Sequence, residues 1–112
     1  MEHDEANELL AAERARVETL LEQARVAAAD DRIAVNGDGR TSDPGVLLVF
    51  EETDDAVADA LSRRLAAIGR AEERLAAGAY GRSVRSGQVI PDERLRADPA
   101  AELTVDEARA DR

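Results

Sequence analysis

Between Glu5 and Ala34 the chain is dominated by Ala, Leu, Glu and Arg, and no Gly or Pro interrupts it. Ala and unbranched side chains lose little freedom in a helix, whereas Gly and Pro are the residues that stop one, so this stretch predicts a single long helix. Leu10, Val17, Leu21, Ala24 and Ala28 follow one another at spacings of seven, four, three and four. That spacing draws an apolar stripe, with Glu13, Arg16, Glu18, Glu22 and Arg25 largely off it. At 1.5 Å per residue such a helix is about 45 Å long, which predicts an elongated domain. From Asp54 to Ala77 the same composition returns, and Val57, Leu61, Leu65, Ile68 and Leu75 draw a second stripe. The segment between, Asn36-Gly37-Asp38-Gly39-Arg40-Thr41-Ser42-Asp43-Pro44-Gly45, concentrates turn-forming residues and predicts a chain reversal. Two amphipathic helices joined by one polar loop pack most simply as an antiparallel coiled coil, each covering the other's apolar face. Val46 to Phe50 fits either a short strand or the entry into the second helix, and we read it as helix entry.

The remaining composition narrows function. The 112 residues carry 25 acidic side chains against 15 basic ones, all arginine, for a net charge of −10. A charge of that sign opposes binding to nucleic acid phosphates. There is no cysteine, hence no disulfide and no thiolate chemistry. The longest apolar run, Val46 to Phe50, is far short of the roughly 20 residues that span a bilayer. The acidic start, Met1-Glu2-His3-Asp4-Glu5, lacks the form of a secretory signal, so the expected location is the cytoplasm.

After Gly78, which reads as the end of the second helix, the chain becomes short-range and turn-rich, at Tyr80-Gly81, Ser86-Gly87, Ile90-Pro91 and Asp98-Pro99. The expected division is a hairpin over residues 1–77, with its tip at about 36–45, and a small module over 78–112. So short a module rarely holds itself together by burial alone. Tyr80, Val84, Val89, Ile90, Leu95 and Leu103 are the residues expected to pack on one another and on the base of the coiled coil.

Gly78-Ala79-Tyr80-Gly81, Ser86-Gly87-Gln88-Val89-Ile90-Pro91 and Arg94-Leu95-Arg96-Ala97-Asp98-Pro99-Ala100-Ala101 together resemble the C-terminal module of the DksA/TraR family. In that family the frame carries four zinc-binding cysteines, and Ser83, Ser86, Thr104 and Glu107 stand in their places here. Asp43-Pro44-Gly45 followed by Phe50-Glu51 also looks like the tip region of shorter members. The resemblance implies an all-α-dominated fold, a long helical hairpin with a zinc-finger-like module that here lacks zinc. It also implies a protein that inserts its tip into the secondary channel of bacterial RNA polymerase and regulates transcription without catalysis. Asp38, Arg40, Thr41, Ser42, Asp43 and Gly45 would then face the partner. Family tips carry two acids three residues apart, whereas Arg40 stands three before Asp43 and Asp38 stands five before it.

Other chemistries find little footing. Zinc sites use thiolate, imidazole or carboxylate, and neutral hydroxyls are weak ligands, so no metal or other cofactor is expected. Ser83 and Ser86 are instead expected to cap nearby amides, with Glu107 solvated. Asp38-Gly39 fails as part of a calcium loop, since Ala34 and Gly45 fall where acids are required. His3, the only histidine, lies in a charged terminus and reads as surface. Arg63, Arg64, Arg70 and Arg74 form a basic strip on the second helix, expected to pair with acids of the first. No nucleophile stands with a base, so an enzyme is not expected. The competing reading is a helical-hairpin scaffold that pairs with itself or with another helix, although a monomer is expected ahead of a homo-oligomer.

Overall fold

A computed structural model describes residues 1–38 and 44–111, with side chains described for 1–27, 29 and 55–111. Four helices carry the chain: α1 (His3–Asp38), α2 (Pro44–Ala76), α3 (Asp92–Ala97) and α4 (Val105–Ala110). No β-strand occurs among the described residues; the one β-type pairing is an isolated antiparallel bridge between Arg82 and Val89. Val46 to Phe50 belongs to α2, as its reading as helix entry requires. The turn composition at Asn36-Gly37 does not end α1, which continues through Asp38. Propensity is a weak prior of about 1 kcal/mol for a glycine, and one or two unfavourable residues at the end of a long helix do not stop it.

The chain divides into two compact units, one of Met1–Ala15 with Leu65–Arg112 and one of Arg16–Arg64. In the Arg16–Arg64 unit Val17 and Leu21 are buried, as their stripe predicts, whereas Val57 is 46% exposed and is no core residue.

In the other unit Ala6 and Leu10 from α1 and Ile68 and Ala71 from α2 are buried. Alanine at two of the four positions lets backbones approach closely, which periodicity of large residues alone does not reveal. The Arg14 guanidinium clasps the Glu72 carboxylate through two nitrogens, with Nε to Oε2 at 3.1 Å, and so joins α1 to α2. Helix α2 ends at Ala76, and Gly78 just beyond it has a left-handed φ of +76°. There the Gly78 N–H donates to the Leu75 carbonyl at 3.2 Å and the Ala79 N–H to the Arg74 carbonyl at 2.8 Å. These two bonds are the Schellman pattern that satisfies the last carbonyls of a helix.

Beyond that cap, Ile90, Leu95 and Ala101 form a buried cluster with Met1 and Tyr80 packed against it. Val84 and Val89 are not part of it; they are 55% and 63% exposed. Val84 contributes through its backbone, donating its N–H to the Glu102 carbonyl at 2.9 Å, and the tight turn leaves both valine side chains outside. Leu103 is half-buried, and its carbonyl accepts from Arg94 Nε at 3.0 Å.

Candidate functional site

The first half of the candidate site is the turn spanning residues 82–89. The Ser83 N–H donates to the Gln88 carbonyl at 2.8 Å, the Gly87 N–H returns to the Ser83 carbonyl at 2.9 Å, and the Ile90 N–H reaches the Gly81 carbonyl at 2.8 Å. Gly87 permits this reversal with a φ of +75°. Ser83 is 4% exposed. Its hydroxyl oxygen accepts from the Arg85 N–H at 3.1 Å and the Ser86 N–H at 3.2 Å, the capping role expected for it.

The second half is the start of α4. Thr104 and Glu107 form a capping box: the Glu107 N–H donates to Thr104 Oγ1 at 3.2 Å, and the Thr104 N–H donates to Glu107 Oε1 at 2.9 Å. The hydrogen bond that the Glu107 carboxylate accepts comes from the Thr104 N–H. Glu107 is half-exposed, and beyond the solvation expected of it the side chain has a local role as the carboxylate of the capping box. The turn and this segment, some twenty residues apart in the chain, are joined by the Val84 N–H on the Glu102 carbonyl at 2.9 Å and by Arg85 on Asp111. The Thr104 N–H, ahead of all other causes, pulls the Glu107 carboxyl down to about 2.

Around this centre ion pairs join the module to the long helices. Glu102 takes Arg70 through Nη2 at 2.8 Å and Nε at 3.3 Å, with Arg74 Nη1 at 3.8 Å. The strip on α2 thus supplies two of its arginines to the C-terminal module rather than to α1, because Glu102 lies over that face of α2. Arg70, ahead of all other causes, holds the Glu102 carboxyl below its ordinary value. Arg96 Nε meets Glu5 at 2.8 Å, and Arg85 reaches both Asp111 oxygens at 3.0 and 2.8 Å. The Tyr80 hydroxyl donates to the Pro99 carbonyl at 2.7 Å, and burial raises its pKa, which keeps it a donor.

Chemically the start of α4 holds one carboxylate fixed by the Thr104 amide, and the turn holds a serine oxygen that accepts from two amides. A carboxylate with a pKa near 2 is too weak a base to activate a serine hydroxyl at neutral pH. As a zinc site the donor set fails, since three of the four side chains are neutral hydroxyls and the carboxylate already accepts from the Thr104 N–H. Among the described residues no group of three or more His, Asp or Glu side chains is placed to hold a metal ion. Of the residues expected to face a partner, Asp38 and Gly45 lie in α1 and α2, while Arg40, Thr41, Ser42 and Asp43 fall outside the described residues. The residue that sequence reasoning undervalued is Glu107. Its signal was present as Thr104-Val105-Asp106-Glu107, the T-x-x-E spacing of a capping box.

No family model matches the chain. No solved structure matches it. The chain is similar to General stress protein 16O of Bacillus subtilis (strain 168), with 39% identity over 74 residues. The match covers 66% of this chain and 45% of that protein, so the chain spans less than half the length of this relative.

Proposed function

We propose that this chain is a zinc-independent regulator of the DksA/TraR kind, which binds bacterial RNA polymerase through its secondary channel and alters transcription without catalysis of its own. The observation that supports the reading is the joining of the Ser83–Ser86 turn to the segment around Thr104 and Glu107, through the Val84 N–H on the Glu102 carbonyl at 2.9 Å and Arg85 on Asp111 at 3.0 and 2.8 Å. Ser83, Ser86, Thr104 and Glu107 are the four positions at which the resemblance places metal ligands. Gly78 as a left-handed helix end and the Tyr80 bond to Pro99 give structural roles to two further residues of the shared frame. Helices of 36 and 33 residues supply the length for an antiparallel hairpin. On this reading its tip presents Asp38, Arg40, Thr41, Ser42, Asp43 and Gly45 to the enzyme. The relative's printed name, a general stress protein, accords with a regulator of the stress response in the cytoplasm. The net charge of −10 suits a basic protein surface and disfavours DNA.

The test is binding of the full chain to purified core RNA polymerase, with a known secondary-channel occupant as competitor. Saturable binding at micromolar concentration that the competitor abolishes is the expected result. Absence of binding, or binding untouched by the competitor, removes the channel from the reading. The second reading, a helical scaffold, draws on Leu20, Val26 and Val57, which are 37%, 48% and 46% exposed on the long helices.

A further inference from the structure

The turn spanning residues 82–89 has an inner and an outer face. Ser83 and Ile90 are 4% and 1% exposed and face inward. Side chains of extended backbone alternate between faces, and the bridge sets Val89 directly opposite Arg82. Arg82, Val84 and Val89 therefore share the outer face, where the two valines are 55% and 63% exposed. We infer that this face docks an extended segment of a partner protein, one that carries an acidic residue beside an apolar one. The surface lies wholly within the C-terminal module and does not rest on the polymerase reading.

The backbone leaves one edge of the turn open. The Ser83 N–H on the Gln88 carbonyl and the Ile90 N–H on the Gly81 carbonyl, both at 2.8 Å, bracket the bridge. Arg82 and Val89 are thus a non-hydrogen-bonded pair whose own backbone groups point outward. On the Arg82 side the edge is closed by the Val84 N–H on the Glu102 carbonyl at 2.9 Å. On the other side, nothing among the described residues pairs with the Val89 N–H or carbonyl. An open edge accepts a further extended chain through main-chain hydrogen bonds. Beside it lies a cavity of about 160 Å³, lined in part by Tyr80, Arg82, Val89, Ile90 and Leu95. An apolar void of that order holds a benzene molecule, so this one has room for one branched or aromatic side chain. Asp92, which also lines the cavity, is already paired with the Met1 ammonium at 3.0 Å. Charge selects the neighbour of the inserted side chain. Arg85 and Arg96 are held by Asp111 and Glu5, whereas among the described residues the Arg82 guanidinium meets only the Gly87 carbonyl, at 3.2 Å. A carboxylate on the incoming segment gives that cation its ion pair.

A random heptapeptide library panned on the full chain tests the docking surface. Selected peptides are expected to carry Asp or Glu in a position neighbouring Leu, Ile or Phe. Titrated singly, they should shift the Val84 and Val89 amide resonances and leave that of Ile68 in α2 unchanged. Arg82→Glu should weaken them about fivefold, the scale of one exposed ion pair, and Val89→Asp should abolish binding. Both side chains are exposed, so neither change removes a core contact. Methylating alternate peptide nitrogens should abolish binding in one of the two phases, which contact through side chains alone would not produce. A library that yields no binder, binders without an acid, or binders indifferent to Val89→Asp would overturn the proposal. Shifts of the same amides on raising the protein concentration alone would give the face to a second copy. Shifts of the same amides with benzoate alone, at the affinity of the peptides, would give the cavity to a small carboxylate, and either result replaces the proposed occupant.

Discussion

Gly69 and Gly78 invite the same substitution with opposite results. Gly69 lies inside α2, and a Cβ built there meets nothing nearer than Arg14 Nη2 at 3.8 Å, an ordinary contact. Gly69→Ala should therefore raise stability by up to about 1 kcal/mol, the helix preference of alanine over glycine. Gly78 has open space around its Cβ position but a φ of +76°, so Gly78→Ala should cost about 1 kcal/mol through backbone strain alone. Urea midpoints of the two variants decide this, and a lowered midpoint for Gly69→Ala would mean that the Arg14–Glu72 clasp has no room to spare. Individual residues were unevenly legible. Gly78 announced its role because only one residue type suits a left-handed helix end. Glu107 did not, because an acid in a polar tail reads as solvated until the Thr104 three residues before it is read as a cap.

At the scale of elements, the helices were legible from composition, whereas what lay against each face was not. The arginines of α2 were visible as a strip, but periodicity ranks faces without naming their partners, and Arg70 and Arg74 turned out to hold Glu102 of the C-terminal segment. The same limit explains Val84 and Val89, which are apolar by type yet lie on the outside of a turn whose backbone does the joining. The attachment of the module to α2 should be acid-sensitive. Glu102 and Glu72 both have folded-state pKa values lowered from the ordinary 4.5, first by hydrogen bonds from Arg70 and Arg14 respectively. A lowered folded-state pKa contributes stability that is complete above the unfolded value and lost as pH falls through the folded one. Urea midpoints should thus fall as pH drops below about 4.5, the ordinary value for these carboxyls. In Glu102→Gln the midpoint should be lower at neutral pH and its decline with acid shallower. The effect is modest because these pairs are partly open to solvent. A Glu102→Gln profile that runs parallel to the parent's would show that Glu102 takes no part in the decline.

For the whole molecule, net charge states more about partners than any single motif does. Twenty-five acids against fifteen arginines leave a charge of −10. Arg14, Arg70, Arg74, Arg85 and Arg96 are, in addition, already engaged with carboxylates of the same chain. Binding to DNA draws its sequence-independent strength from cations that replace counterions on phosphates, and an arginine held by a glutamate must first break that pair. The full chain should therefore produce no change in anisotropy with a labelled duplex at about 50 mM salt, even at tens of micromolar, where non-specific DNA-binding proteins with dissociation constants of roughly 10⁻⁴ to 10⁻⁶ M respond. Salt separates the two partner classes further. Attraction between acidic groups of this chain and basic patches on a protein weakens as the screening length shortens from about 10 Å at 0.1 M to about 3 Å at 1 M, while apolar contacts persist. Duplex binding at low salt would show that the arginines are segregated into a face strong enough to overcome the net charge, and a protein partner chosen by its basic surface would lose its main support.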